Sequence, residues 1–169
     1  MKDLRSLTCC FTGHQDLPPG EERKILTRVR YLVAPLVQDG VLYFGVGGAR
    51  GFDMLAAEYM LGLRDRDCPR IRIISVLPFP QYTEDWAEED RRRQEEILRR
   101  SDKVVWVSPE NRRGVYLERN RKLVDGSAYC ISYCRRRTGG TAYTVRYAVK
   151  QGIPVMNASS WDLRQLGGG

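Results

Sequence analysis

Val41-Leu42-Tyr43-Phe44-Gly45-Val46-Gly47-Gly48-Ala49-Arg50-Gly51-Phe52-Asp53 passes from an apolar run, through a glycine-rich turn, into a helical pattern. Val41–Phe44 reads as a buried strand, and Phe52, Leu55, Ala56, Tyr59, Met60 and Leu63 make one apolar stripe at helical spacing. A strand that enters a helix through glycines is half of a βαβ unit. Glycines also let backbone N–H groups approach an anion, and the following helix points its positive end at it. Arg50 adds a planar fork of donors suited to phosphate oxygens. The turn therefore predicts both a parallel α/β fold and a phosphate-binding loop.

The same alternation continues on both sides. Strands are expected over Leu7–Thr12, Val41–Phe44, Ile71–Leu77, Val104–Val107, Ala128–Tyr133 and Val155–Asn157. Helices are expected over 21–38, from Phe52 to a polar loop at Arg64-Asp65-Arg66-Asp67, over Thr83–Arg100, over 115–125 and over Thr141–Gln151. In the third helix Glu88–Arg92, Glu89–Arg93, Glu95–Arg99 and Glu96–Arg100 have the i,i+4 spacing of ion pairs. Its thin apolar face (Trp86, Ile97, Leu98) predicts an outermost position. The pattern predicts a Rossmann-like three-layer α/β domain with a mostly parallel sheet.

At 169 residues, 42% hydrophobic and 29% charged, the chain reads as a single domain over 1–169, with a flexible tail at 163–169. No apolar run approaches the ~20 residues of a bilayer span. The start, Met1-Lys2-Asp3-Leu4-Arg5-Ser6, has no secretory h-region. Five cysteines (Cys9, Cys10, Cys68, Cys130, Cys134) show no disulfide framework, so a cytoplasmic setting is expected. Cys130-x-x-x-Cys134 has no second metal pair and His14 is the single histidine, so no metal site and no cofactor are expected. The net charge of +7 favours anionic partners, either nucleotides or nucleic acid; no membrane partner is expected, since no apolar run is long enough to span one. Homo-oligomerisation is left open.

Right-handed crossovers bring the strand-to-helix loops to one sheet edge. Four loops meet there: Thr12-Gly13-His14, the turn at Gly47-Gly48-Ala49-Arg50-Gly51, the segment from Ser108 to Arg113, and Thr138-Gly139-Gly140-Thr141. Two of them are glycine-rich and open helices, which suits a ligand with several anionic groups. The phosphate-loop pattern G-x-x-x-x-G-K-[ST] is absent. In G-x-G-x-x-G, Arg50 stands where the third glycine belongs, which argues against ordinary nicotinamide chemistry.

Cys9-Cys10-Phe11-Thr12-Gly13-His14, Gly48-Ala49-Arg50-Gly51-Phe52-Asp53, Glu118-Arg119-Asn120-Arg121 and Thr138-Gly139-Gly140-Thr141-Ala142-Tyr143-Thr144-Val145 resemble the motifs of YpsA-type proteins of the SLOG superfamily, named for the Smf/DprA and LOG proteins. The resemblance runs from about Leu7 to Pro154. It implies a Rossmann-like fold and a nucleotide or nucleotide-derived ligand, a nucleoside phosphate or an ADP-ribose-like molecule, bound by a sensor or regulator. Two alternatives come with it. LOG-type enzymes cleave the N-glycosidic bond of nucleoside monophosphates; Arg121-Lys122 is similar to their Arg-Lys pair, and Gly139, Gly140 and Thr141 to part of their glycine loop. That loop's glutamate is missing here, since Tyr143, Thr144 and Val145 occupy its region, so Asp53 or Glu118 would have to supply the carboxylate that such cleavage needs. The Ala-Arg-Gly-x-Asp element also resembles the turn of DprA, which implies single-stranded nucleic-acid binding.

The candidate ligand residues are Thr12, Gly13, His14, Gly47, Gly48, Ala49, Arg50, Gly51, Asp53, Ser108, Arg119, Gly139, Gly140, Thr141 and Thr144; the catalytic candidates, should there be turnover, are Asp53, Glu118 and Arg121. Several have a plain structural reading beside the functional one. Asp53 caps a helix or accepts from ribose hydroxyls. His14 makes a turn hydrogen bond or touches ligand. Arg119 and Arg121 reach a phosphate or solvent. Thr141 and Thr144 cap the last helix. Phe79, Tyr82 and Trp86 pack in the core or wall a base. Arg135-Arg136-Arg137 widens an anion site or grips a nucleic-acid backbone.

Overall fold

A computed structural model describes residues 3–160; the expected flexible tail at 163–169 lies outside the described residues. Strands β1 (Thr8–Gly13), β2 (Tyr43–Val46), β3 (Arg72–Leu77), β4 (Lys103–Trp106), β5 (Tyr129–Tyr133) and β6 (Val155–Asn157) form one sheet in the order β4-β3-β2-β1-β5-β6. Every neighbouring pair is parallel. Helices α1 (Glu22–Gln38), α2 (Phe52–Arg66), α3 (Glu88–Arg100), α4 (Val115–Asp125) and α5 (Gly140–Lys150) connect them. No described helix is long and apolar enough to cross a membrane.

The two layers of helices follow from side-chain alternation. On β1, Cys9 and Phe11 join Ile25 and Val29 of α1 and Met60 of α2 on one face. Cys10 turns to the other, among Leu123 and Val124 of α4 and Val145 and Ala148 of α5. Each thiol is buried as a small apolar side chain, one in each layer. Each fully buried large side chain, such as Phe11, Phe44 and Phe52, contributes roughly 2 kcal/mol.

Three elements differ from expectation by more than one residue. β2 begins at Tyr43 and keeps Gly45 and Val46, because the ladder sets Cys10 beside Gly45 and Val46 beside Ser75. Gly45 is in the strand by its pairing with Cys10 and Ile74, and a Cβ there would lie 3.0 Å from Leu123 Cδ2, so glycine lets α4 approach closely. α2 runs on through Arg64 to Arg66, held by Arg64 Nη1 donating to Asp102 at 2.7 Å. α3 starts at Glu88 rather than Thr83, since the segment after Pro80 spends its backbone in turns. Of the four spaced ion pairs on α3 only Glu88–Arg92 forms, at 3.1 Å; Arg93 and Arg100 cross instead to Glu58 and Asp65 of α2, and Arg99 pairs with Glu96. Those crossings dock a weakly apolar helix on its neighbour.

The chain steps outward from β1 to β4 and then jumps back past β1 to β5. Strand order therefore reverses between β1 and β5. In open parallel sheets a crevice opens at such a point, beyond the carboxyl ends of the strands.

Candidate functional site

A cavity of about 780 Å³ occupies that place. Thr12–His14 reach it from β1, Ala49–Gly51 and Asp53 from the turn after β2, and Gly139–Thr141 from the start of α5. Gly47, Gly48, Ser108, Arg119 and Thr144 do not line it. Asp16, Glu22 and Asp90 put carboxylates around the same space.

The turn after β2 is held by packing. Gly48 has φ +74, and a Cβ there would fall 2.2 Å from Leu77 Cδ2; the hydroxyl of Tyr82 donates to its carbonyl at 2.8 Å. Gly51 has φ +75, and a Cβ would strike the Gln15 carbonyl at 2.2 Å. Next to it Phe52 N–H donates to the His14 carbonyl at 3.1 Å, which ties the turn to the β1 loop. These glycines are required by the protein itself.

Asp53 does not sit at the N-cap of α2, which is Gly51. Its Oδ2 accepts from Ala49 N–H at 3.2 Å and so closes the turn from inside. The other oxygen, Oδ1, is buried with no hydrogen-bond partner. Burial lifts the carboxyl from 3.8 to about 6, against the pull of the Arg119 guanidinium and the Ala49 N–H. Arg119 is itself 5% exposed. It donates to the Gly47 carbonyl and, at 2.7 Å, to Asn120 Oδ1. Arg119 thus reaches neither solvent nor the main cavity; it braces the turn from beneath.

The start of α5 is built differently. Gly139, at φ +96, is the N-cap, and no side chain caps the first turn, which carries no acid. A Cβ at Gly139 or Gly140 would meet nothing within 4 Å. Thr144 donates back to the Gly140 carbonyl at 2.8 Å, so its hydroxyl serves the helix. The leading amides of an 11-residue helix therefore face the cavity unclaimed by side chains.

His14 joins the two halves. Its Nε2 accepts from Arg135 N–H at 2.8 Å, which leaves the proton on Nδ1. Burial first, then the nearby Arg136 charge, hold it below its ordinary pKa. Arg136 and Asp16 pair across the mouth between the β1 and β5 loops. Arg50 is exposed, with its guanidinium 5.4 Å from the centre of the Trp86 ring. Glu118 is tied to Arg112, Arg121 donates to the Tyr143 hydroxyl at 3.1 Å, and Ser108 donates to the Glu110 carbonyl at 2.6 Å; none of the three reaches the cavity. Among the described residues no group of three or more His, Cys, Asp or Glu is placed to hold a metal ion.

Asn120 and Gln15 line the cavity without having been singled out from sequence. A signal for Arg119 did exist: Val115, Arg119 and Leu123 recur every fourth residue, and all three are buried. A charge on the apolar stripe of a helix is a charge with a task inside.

Comparison with known proteins agrees with this architecture. A model of the YspA SLOG family matches residues 22–156. A UPF0398 protein of Halalkalibacterium halodurans is 26% identical over 122 residues, covering 70% of this chain and 64% of its own. One from Bacillus cereus strain B4264 is 27% identical over 137 residues, covering 77% of this chain and 67% of its own. The fold resembles DNA processing protein A of Helicobacter pylori, solved for its single-stranded DNA binding mode, at TM-score 0.63 and 20% identity over 89% of this chain and 64% of that one. DprA of Streptococcus pneumoniae gives TM-score 0.66 and 17% identity over 90% of this chain and 50% of that one. The chain thus spans about two thirds of the length of these curated relatives, and half to two thirds of the two solved proteins.

Proposed function

The chain belongs to the YspA SLOG family, and from that premise we propose that it binds a nucleoside phosphate or an ADP-ribose-like molecule in the switch-point cavity and acts as a sensor or regulator. The observation that carries this reading is the start of α5. Its leading amides open on the cavity with no capping side chain, no acid in the first turn and no steric reason for Gly140. Such a terminus favours a phosphate. Arg50, exposed at its rim, supplies a cationic donor at the same cavity.

Thermal denaturation with AMP, GMP, CMP, UMP and ADP-ribose tests the proposal. A ligand at a hundred times its Kd adds about 2.7 kcal/mol. For a domain of this size that raises Tm by roughly 5–10 °C. The expected outcome is such a rise with at least one compound, and a smaller rise in Arg50→Ala. No shift with any of the five would sink it.

One observation favours a second reading, nucleotide N-glycosidase activity. Asp53 is a cavity carboxyl raised to about 6, the range in which a carboxyl exchanges protons near neutrality. Release of free base from a monophosphate, lost in Asp53→Asn, is the outcome that supports it.

A further inference from the structure

Beside the main cavity lies a second one of about 280 Å³, and the two share Gln15, Ala49 and Arg50. Its remaining walls are Tyr82, Trp86, Tyr116 and Arg119. From this juxtaposition we infer that the second cavity is the subsite for a planar heteroaromatic ring, the base of the nucleotide whose phosphate lies at α5; the inference rests on the proposed function.

The chemistry is specific to flat rings. Tyr82 meets Trp86 edge-on, with centroids 5.4 Å apart at 84°, and Phe79 meets Tyr116 edge-on at 5.9 Å and 79°. Edge-on neighbours brace a ring and leave its faces to other partners. The faces here meet guanidinium groups, Arg50 at 5.4 Å from the Trp86 centroid and Arg119 at 5.7 Å from that of Tyr116. Braced aromatic rings interleaved with arginine are what a base stacks on. Tyr116 is 44% exposed, a large aromatic surface standing at a cavity rather than in the core. Tyr82 is anchored through its hydroxyl to the Gly48 carbonyl, so the wall is fixed to the turn after β2. Arg50, common to both cavities, stands where base and phosphate ends of one ligand would join.

Isothermal titration of AMP, GMP, CMP and UMP against ribose 5-phosphate decides the matter. The expected result is that the best monophosphate binds at least tenfold tighter than ribose 5-phosphate, which has the phosphate and sugar and lacks the ring. Trp86→Leu and Tyr116→Ala are expected to lower that ratio about tenfold each, and Trp86→Phe to keep it within threefold. Tyr116 is exposed enough for its variant to fold, which circular dichroism checks if Trp86→Leu does not. Equal binding of ribose 5-phosphate and the monophosphates, or a ratio unmoved in Tyr116→Ala, overturns the ring subsite and leaves the phosphate site standing. Binding of neither kind of probe, with ADP-ribose also giving no thermal shift, overturns the nucleotide reading and the subsite with it.

Discussion

Asp53 is costly to keep ionised. The rise of its carboxyl from 3.8 to about 6 corresponds to roughly 3 kcal/mol against folding at neutral pH. The sign follows from linkage: between about pH 4 and 6 the folded state holds more protons than the unfolded one, so this group's contribution falls as pH rises through that window. Asp53→Asn keeps an acceptor for Ala49 N–H and removes the charge. Urea denaturation should therefore show the variant gaining on the wild type by up to about 3 kcal/mol between pH 4 and pH 7.5; an unchanged difference would refute the burial argument. That Asp53 lies at a loop-to-helix junction was legible in Arg50-Gly51-Phe52-Asp53. Its unpaired oxygen was not, because that depends on Arg119, which comes 66 positions later in the chain and is spent on the Gly47 carbonyl.

At the scale of elements, the two glycine-rich helix starts looked alike in sequence and are physically unlike. Gly51 and Gly48 hold positive φ and touch backbone or buried side chains, whereas Gly140 faces open space. Substitution separates them. Gly51→Ala forces a Cβ into a carbonyl at a left-handed φ and is expected to cost at least ~3 kcal/mol, lowering Tm by several degrees. Gly140→Ala is expected to stay within about 1 kcal/mol of wild type in stability. Under the proposed function it should weaken phosphate binding about tenfold, because the methyl group occupies the approach to the leading amides. Equal stability losses would contradict the packing described here. Helical stripes announced α1 and α4 at nearly their true bounds, since burial on one face sets their period. α3 differs at its start because the segment after Pro80 is spent in turns, and in its ion pairs because Arg93 and Arg100 answer to carboxylates on α2, a tertiary pairing invisible to a window of one helix.

For the whole molecule, strand order makes the site. Alternation of strands and helices predicted a parallel sheet, but only the observed order puts β1 beside β5 and so brings Thr12–His14 to Gly139–Thr141. Net charge is the other property of the whole. The excess of +7 suggested nucleic acid as readily as a nucleotide, and the fold is shared with a protein described as binding single-stranded DNA. The basic runs are not bare, however. Arg91 and Arg92 pair with Glu88, Arg99 with Glu96, and Arg136 with Asp16, so strand phosphates would have to displace carboxylates. Contacts of that kind give only non-specific affinity, roughly 1–100 μM at physiological salt, falling steeply as salt rises. Fluorescence anisotropy with a labelled oligo-dT at 50 and 200 mM salt should find that weak, salt-sensitive behaviour, while under the proposed function the mononucleotide thermal shift changes little over the same range because a mononucleotide carries few charges. Submicromolar oligo-dT binding at 150 mM salt would reverse the ranking and make the cavity part of a nucleic-acid groove.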